Sequence, residues 1–362
     1  MRFSGTLKTI LNFYLSTIGI RRFPYSIFWL ITWQCNSRCL HCEWGKAVDE
    51  LLRLPECSQD LALARVKEIL TEARSSGARH IAFAGGEPFL RKDFLEILKH
   101  CKKEGYAVTV STNGFLLANF EFAQQVIATG VDRIDLSLDA AGTLHDKLRD
   151  REGAFRMIEA AIDNLKKLKR QRNFYLGFNT VVSAFNMQSL LELFEYAQLK
   201  GIDGVGLQPF HYIQARAKGL IPCFVIAKEQ LPILKETLNT IIRRYSFLLS
   251  NSTFFIRNIA TFYENNKMPG YACYAGLQEI HLYPDGAVSP CCFIQSKESV
   301  RDKSLKQILG SREFRQLVKK ARHKECSGCW SPPVHEYNLL LKPQEFLSGL
   351  KLIRTFLKWS RG

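Results

Sequence analysis

The chain has 362 residues, of which 23% are charged and 46% are hydrophobic, and this balance excludes an intrinsically disordered protein. Lys and Arg outnumber Asp and Glu by 50 to 34, which gives a net charge of +16 that permits anionic partners but selects none. The length allows one barrel-sized domain and a smaller second one.

The 11 cysteines bear on the cellular compartment. We see no apolar leader followed by a small-residue cleavage site, and no apolar run reaches the ~18 residues that a bilayer-spanning helix needs. We therefore expect a reducing, cytoplasmic compartment. In that setting closely spaced cysteines are typical of metal ligands and not of a disulfide framework.

Six short β-branched and aromatic runs alternate with helical patterns between residues 27 and 211. The predicted strands are 27–34, 79–83, 106–111, 133–138, 175–182 and 204–208. This alternation predicts an α/β fold with a parallel sheet. A (β/α)6 partial TIM barrel and a doubly wound sheet both fit the pattern.

Four further segments flank the predicted barrel core of residues 27–211. Residues 1–26 are predicted as an N-terminal amphipathic segment and 212–270 as a helical linker. Residues 271–335 form a cysteine-rich extension with a β-hairpin, whose tight turn is Tyr283–Gly286, and a helix over 305–320. Residues 336–362 are predicted to contain a basic amphipathic helix.

Three cysteines follow the first predicted strand directly. Cys35, Cys39 and Cys42 have the spacing C-x3-C-x2-C. Three thiolates on one loop can hold three irons of a [4Fe–4S] cluster and leave the fourth iron open to a small molecule. A structural zinc site usually has four ligands, and His41 is too close in the chain to complete one comfortably. The spacing therefore favours the cluster.

This arrangement resembles the radical S-adenosylmethionine (SAM) superfamily, and the resemblance covers roughly residues 27–210. It implies a partial barrel in which Cys35, Cys39 and Cys42 are the catalytic cluster ligands. It also implies that the aromatic ring of His41 lies near the adenine of SAM.

Glycine-rich or polar turns end the next predicted strands. The resemblance assigns SAM contacts to Gly85, Gly86, Glu87, Pro88, Asn113, Ser137, Asp139 and Val181. The Gly-Gly-Glu-Pro turn would bind the amino group of SAM, and the polar residues its ribose or carboxylate. Without the resemblance, the Gly-Gly-Glu-Pro segment would be interpreted as an ordinary chain turn and Val181 as a core residue. Because ligand groups gather at the C-terminal strand ends of such barrels, we expect these residues to converge.

The segment 145–149, His-Asp-Lys-Leu-Arg, has two interpretations. It is a solvated run of charges, or it is similar to the H-D-x-x-R stretch of SPASM-type members of the superfamily. The second interpretation places it near the substrate or the SAM carboxylate.

A second set of cysteines comprises Cys273, Cys291, Cys326 and Cys329. The set resembles the shortened SPASM, or twitch, extension and implies an auxiliary [4Fe–4S] cluster with four protein ligands. A four-cysteine zinc site fits the spacing almost as well. Cys292 adjoins Cys291 and could replace it as the ligand.

The resemblance implies an enzyme that cleaves SAM to a 5′-deoxyadenosyl radical, which abstracts a substrate hydrogen atom. The auxiliary cluster would transfer electrons, and flavodoxin or ferredoxin would donate them. A peptide, a sugar or aminocyclitol and a lipid-linked metabolite all remain open as substrates. The alternative is a zinc-binding nucleic-acid or adaptor protein. It would explain the basic charge but not the strand-end motifs, so we expect no nucleic-acid partner.

Residues 346–361 separate a basic face from an apolar one. A helix of this kind can contact an anionic membrane surface peripherally, and it can equally pack on the end of the barrel.

Overall fold

The computed structural model describes residues 23–42, 60–211, 221–265, 273–326 and 328–339. The predicted basic helix at 346–361 and nearly all of the predicted N-terminal segment lie outside these residues. No helix in the described part of the chain has the length and apolar character needed to cross a bilayer.

Six strands form the barrel sheet, and they are β1 Ser26–Leu30, β2 His80–Ala84, β3 Ala107–Thr112, β4 Arg133–Ser137, β5 Tyr175–Val182 and β6 Gly204–Pro209. Each pairs in parallel with the next one along the chain. A doubly wound sheet reverses its strand order at a switch point, and β1 to β6 show no such reversal. The partial barrel is therefore confirmed, and the doubly wound alternative is wrong.

Helices cover the outer face of the sheet between the strands. They are α1 Leu63–Ser76, α2 Phe94–Lys103, α3 Phe120–Ala128, α4 Thr143–Arg149, α5 Ala154–Lys169 and α6 Leu190–Leu199. Helix α2 buries Phe94, Ile97, Leu98 and Cys101, the spacing of one helical face. The side chain of Asn119 caps α3 because it accepts a hydrogen bond from the backbone N–H of Phe122.

Among the described residues after β6, the regular elements are helices and one hairpin. Its elements are α7 Ile221–Phe224, α8 Leu231–Tyr245, α9 Thr253–Asn265, β7 Glu279–Leu282, β8 Val288–Ser289, α10 Leu305–Gly310, α11 Arg312–Arg322 and α12 Pro332–Leu339. The helix predicted over 305–320 is two helices, because Ser311 ends α10 and its side chain caps α11. Helix α12 runs across the boundary that the sequence suggested between residues 335 and 336.

The hairpin joins the barrel sheet. Strand β7 pairs in parallel with β1, with Ser26 opposite Glu279, and in antiparallel with β8. The resulting order is β6-β5-β4-β3-β2-β1-β7-β8. The cysteine-rich extension is therefore fixed to the barrel by backbone hydrogen bonds, which the sequence pattern did not predict.

Alternate side chains of each strand face opposite sides of the sheet. In β1, Trp29 packs outward against the helices, and its ring centroid lies 6.2 Å from that of Phe83, which in turn meets Phe94 at 5.2 Å. Phe28 and Leu30 face the other way and line an internal cavity. The hydrophobic core thus lies between the sheet and its helices, and the inner face is left for a ligand.

Candidate active site

A cavity of about 520 Å³ occupies the inner face of the sheet. Its upper wall comes from loops at the C-terminal strand ends, where ligand sites of such barrels are found. Cys292 and Phe293 of the extension also line it. One space is therefore bounded by the barrel and by the cysteine-rich segment.

Cys35, Cys39 and Cys42 all line this cavity. The pKa of Cys35 is raised to about 12, mainly by burial, and the Glu87 carboxylate and the nearby thiols of Cys39 and Cys42 contribute to this rise. Such thiols keep their protons until a metal displaces them. Three soft donors on one loop beside a ligand-sized cavity fit a [4Fe–4S] cluster with an open iron.

The cysteine loop is held by the end of α4. Leu40 donates its backbone N–H to the carbonyl oxygen of Leu148 at 3.0 Å. Ser37 Oγ donates to the carbonyl oxygen of Arg149 at 3.2 Å, and Arg149 Nη1 donates to Cys39 Sγ at 3.5 Å. A guanidinium beside a thiolate stabilises its negative charge, so Arg149 suits a loop of metal-binding thiolates.

Asp139 gathers three groups around the cavity, and its side chain is 1% exposed. Its carboxylate accepts from Arg149 Nη2 at 2.6 Å and from the backbone N–H of Val181 at 2.9 Å, and it lies 3.7 Å from His41 Nε2. Burial alone disfavours the charged carboxylate, but the Arg149 guanidinium holds the pKa of Asp139 below its usual value. Burial lowers the pKa of His41 to about 4, so its ring is neutral at pH 7.

The segment 145–149 is not a solvated run of charges. His145 and Arg149 are buried, and Arg149 lines the cavity. Asp146 accepts hydrogen bonds from the backbone N–H groups of Gly153 and Phe155, at 2.9 and 2.7 Å, at the start of α5. The buried side chains of the short helix α4 lie toward the strand ends. The order of charged residues in the sequence does not show this direction.

Gly85 and Gly86 form a cradle at the end of β2, and both line the cavity. A Cβ on Gly85 would lie 2.5 Å from the carbonyl oxygen of Thr32, and one on Gly86 would lie 2.1 Å from that of Gln34. Gly86 and Glu87 donate their backbone N–H groups to these same two oxygens, at 2.8 and 2.6 Å. Glycine is therefore required for this close contact between the turn and the cysteine loop.

The carboxylate of Glu87 faces the protein. It accepts from Thr112 Oγ1 and the Asn113 N–H, each at 2.8 Å, and from the Phe89 N–H at 3.2 Å. Burial raises the pKa of Glu87 to about 7. Neither Glu87 nor Pro88 is among the described residues that line the cavity. Glu87 therefore braces the glycine turn against β3, and the turn offers its backbone to a ligand.

The other predicted SAM contacts, Asn113, Ser137 and Val181, line the same cavity. Asn113 Nδ2 donates to Asn36 Oδ1 at 2.7 Å, which ties the end of β3 to the cysteine loop. Val182 is fully buried in the core. The strand-end residues that sequence analysis singled out thus converge, with Glu87 and Pro88 in a supporting position.

Sequence reasoning missed the polar side chains deeper in the barrel. Arg133 Nε donates to Asp135 Oδ2 at 2.6 Å, and the side chains of His80 and Thr109 meet at 3.0 Å. All four line the cavity. The available signal was the spacing of Arg133 and Asp135 two residues apart within one short strand, which places both on the same face as Ser137.

The auxiliary cysteines lie together. The pKa of Cys291 is raised to about 12, mainly by burial, and the nearby Cys273 and Cys326 thiols contribute to this rise. Burial likewise raises the pKa of Cys329, next to the same thiols. Cys292 lines the cavity instead, so Cys291 is the member of this set. Four soft donors close together, of which three are buried and Cys326 is half-buried, fit a fully ligated iron–sulfur cluster.

Within the described ranges, no group of three or more His, Cys, Asp or Glu side chains is arranged to hold a single metal ion. In a four-iron cluster, by contrast, each thiolate ligates a different iron.

Trp330 anchors the Cys326–Cys329 segment to the barrel. Its ring is fully buried and stacks on Phe255 at 4.9 Å and on His335 at 4.6 Å. Its backbone N–H donates to His211 Nε2 at 3.0 Å, just beyond β6. The extension is therefore attached at both sides of the sheet, through β7 and through Trp330.

Comparison with protein families agrees with this geometry. Residues 29–197 match the radical SAM superfamily, and residues 273–330 match SPASM, an iron–sulfur cluster-binding domain. The first match spans the cysteine loop and the glycine cradle. The second spans all four auxiliary cysteines.

Individual relatives share part of the sequence. An AdoMet-dependent heme synthase of Methanosarcina barkeri is 32% identical over 185 residues, which is 51% of this chain and 50% of the synthase. This chain therefore spans about half the length of that curated relative. A GTP 3′,8-cyclase of Helicobacter pylori is 27% identical over 293 residues, covering 77% of this chain and 84% of the cyclase.

Solved structures share the fold. SuiB of Streptococcus suis bound to S-adenosylmethionine has a TM-score of 0.61 at 16% identity, covering 89% of this chain and 75% of SuiB. The enzyme anSMEcpe with bound AdoMet has a TM-score of 0.61 at 16% identity, covering 82% of this chain and 83% of that one.

The two family matches imply SAM and two [4Fe–4S] clusters, one catalytic and one auxiliary. The zinc-binding adaptor alternative accounts for neither match. The relatives named above are enzymes. The chain belongs to the radical SAM superfamily and carries a SPASM-type iron–sulfur cluster-binding domain after its barrel.

Proposed function

We propose that this enzyme cleaves SAM reductively at the cluster of Cys35, Cys39 and Cys42 and oxidises a substrate held in the barrel cavity. The observation that carries the proposal is the single cavity lined both by these cysteines and by Cys292, the neighbour of the auxiliary ligand Cys291. A molecule inside it would lie beside the catalytic cysteines and next to the chain neighbour of an auxiliary ligand.

When bound and reduced, the catalytic cluster supplies the electron that cleaves SAM to methionine and a 5′-deoxyadenosyl radical, which abstracts a hydrogen atom. The chain positions the reactants. The backbone carbonyls of the glycine cradle accept from the SAM ammonium group, and Ser137 hydrogen-bonds its ribose or carboxylate. Neutral His41 and Val181 contact the adenine.

Apolar side chains of the cavity lining would displace part of the water around bound reactants. Phe293 of the extension and Leu30 of β1 belong to this lining. A dry site protects a radical from quenching and strengthens the electrostatic contacts that orient SAM. The relatives are named for heme synthesis and for GTP cyclisation, so they support the radical chemistry without pointing to a shared substrate.

Iron content and SAM cleavage test the proposal. After anaerobic reconstitution the chain should hold about eight irons, from two four-iron clusters. Replacing Cys35, Cys39 and Cys42 together with alanine should leave about four irons and abolish formation of 5′-deoxyadenosine under dithionite. If the triple variant still forms 5′-deoxyadenosine, the catalytic cluster is assigned wrongly.

The auxiliary cluster is tested separately. Cys326→Ala should lose substrate turnover but keep slow, uncoupled SAM cleavage, because the two cysteine sets lie on different elements. Tightly bound zinc at the auxiliary set would exclude its role in electron transfer. Reduced flavodoxin or ferredoxin should replace dithionite as the electron donor.

Peripheral membrane contact through residues 346–361 is a separate part of the proposal. Each basic residue near an anionic surface contributes ~1 kcal/mol, so the four basic residues of this segment would give reversible binding. Truncation after Pro343 should leave a folded protein that no longer sediments with anionic liposomes. A full-length enzyme that ignores such liposomes at low salt would exclude the contact.

A further inference from the structure

Helix α12 bridges the two edges of the barrel sheet. Its residue Glu336 accepts a hydrogen bond at 2.8 Å from the backbone N–H of Ser252, in the segment that follows α8 beside β6. Two residues earlier, Val334 lines a small crevice together with Glu279 and His281 of β7. Side chains of α12 are therefore close to strands at opposite ends of the barrel.

Three polar side chains at this junction line the main cavity and have unused hydrogen-bonding atoms. Glu336 Oε2, Glu279 Oε1 and both ring nitrogens of His281 have no hydrogen-bond partner among the described residues. The three residues are only 5%, 5% and 3% exposed. Buried polar groups are nearly always paired, so several unpaired atoms on residues that line one cavity point to a ligand as the missing partner.

Each of the three side chains is held in place by the protein. Glu279 Oε2 accepts from Ser26 Oγ at 2.8 Å, which leaves Oε1 free of hydrogen bonds. The ring of His281 packs against Phe28 with centroids 4.9 Å apart, and its Nε2 lies 3.6 Å from Glu279 Oε1, too far for a hydrogen bond. The unpaired atoms are therefore pre-positioned.

No cation of the described residues is paired with the carboxyl groups of this wall. Glu336 interacts with the neutral groups of Ser252 and Asn251, and in the described part of the chain no Lys or Arg forms an ion pair with Glu336 or Glu279. Burial without a compensating cation raises the pKa of Glu336 to about 7. A cation placed beside this carboxylate would favour its charged form.

We propose that Glu336, Glu279 and His281 bind a protonated amine of the substrate, which is a small amine-bearing molecule. An ammonium group has three N–H donors, and the two carboxylates and the imidazole supply three acceptors. The proposal deepens the proposed function, because it rests on the cavity being the substrate site. Neutral hydroxyl compounds would leave the carboxylates without a counter-charge and would bind more weakly.

The test compares two probes of the same shape, cyclohexylamine and cyclohexanol, on the reconstituted, SAM-loaded enzyme. Dissociation constants are measured by ligand-observed NMR titration. We expect the amine to bind more tightly than the alcohol. Glu336→Gln should weaken amine binding about tenfold or more, the loss expected for a hydrogen bond to a charged group. It should leave alcohol binding unchanged.

Glu298→Gln is the matched control. Glu298 is also a buried carboxylate with one unpaired oxygen, but it lies 3.4 Å from Lys303 and is not among the described cavity-lining residues. The control should not change either dissociation constant. Glutamine at position 336 keeps a carbonyl oxygen for the Ser252 N–H, so the fold is retained. If Glu336→Gln nevertheless fails to fold, Glu279→Gln gives the same comparison.

Equal binding of amine and alcohol by the wild-type enzyme would overturn the proposal, and so would unchanged amine binding in both Glu336→Gln and Glu279→Gln. Formation of 5′-deoxyadenosine is measured in the same samples. Loss of SAM cleavage with intact, Glu336-dependent amine binding would refute the proposed function and leave the amine site standing. Normal SAM cleavage with no preference for the amine would refute the amine site and leave the proposed function standing.

Discussion

Replacing Arg149 with methionine should destabilise the protein most strongly near neutral pH. Arg149 and Asp139 form a buried ion pair with a 2.6 Å contact, and their side chains are 8% and 1% exposed. Methionine fills much of the same volume without the charge, so Asp139 remains buried without its cation. Removing one partner of a buried pair costs about 3–5 kcal/mol in the free energy of unfolding.

The pH dependence follows from the pKa of Asp139. In the wild type Arg149 holds this pKa below its unfolded value, so the pair contributes stability above the unfolded pKa of ~3.9, and that stability is lost as the pH falls through the folded pKa. Without Arg149, burial raises the folded pKa above the unfolded value. The deficit of the variant is then largest above that raised pKa and shrinks on acidification.

The assay is anaerobic urea unfolding of wild type and variant at neutral and mildly acidic pH. Adding Asp139→Asn to Arg149→Met should recover part of the loss, because it removes the uncompensated charge. Arg243→Met is the control, since Arg243 pairs with Glu236 at 3.1 Å on an exposed surface and should cost less than about 1 kcal/mol. A loss equal to that of the control, or a loss independent of pH, would refute the reasoning.

Three further substitutions test single contacts. Gly86→Ala should impair SAM binding in equilibrium dialysis and cost about 1–3 kcal/mol of stability, because its Cβ would meet a backbone oxygen at 2.1 Å. In the control variant Gly310→Ala the added Cβ has no atom within 4 Å, so SAM binding and stability should both stay unchanged. Equal behaviour of the two variants would contradict the cradle. Cys291→Ala should lower the iron content after reconstitution whereas Cys292→Ala should not, and the opposite result would exchange their roles. Ser311→Ala should lower the thermal midpoint through the loss of ~1 kcal/mol from the α11 cap, and an unchanged midpoint would show that the cap is unimportant.

Local spacing in the sequence was enough to predict much of the barrel and part of the site. The strand of residues 175–182 was predicted with the limits that the structure has, because its β-branched and aromatic content is a local property. The cysteine loop and the glycine turn were found in the same way. Parallel strands bring their C-terminal ends to one face, so the convergence of Gly85, Asn113 and Ser137 followed from the order of the elements.

The sequence did not predict the direction in which individual side chains point. Glu87 was expected to face the ligand, but its carboxylate instead joins β2 to β3 through Thr112 and Asn113. Cys291 and Cys292 are adjacent and chemically identical, and the position of the hairpin decides which one faces the auxiliary set. These choices depend on what lies opposite each side chain, which composition and spacing do not encode.

The sequence by itself determined the cofactor chemistry of this protein, because the spacing of Cys35, Cys39 and Cys42 on one loop is sufficient to hold three irons. Only the tertiary structure decided how the cavity is closed. The pairing of β7 with β1 joins Ser26 to Glu279 across 253 positions of the chain. Helix α12 then brings Val334 to a crevice with Glu279 and His281 of that strand, and Glu336 to the backbone of Ser252. Contacts over such distances are selected by the packing of the whole fold, and no local pattern specifies them.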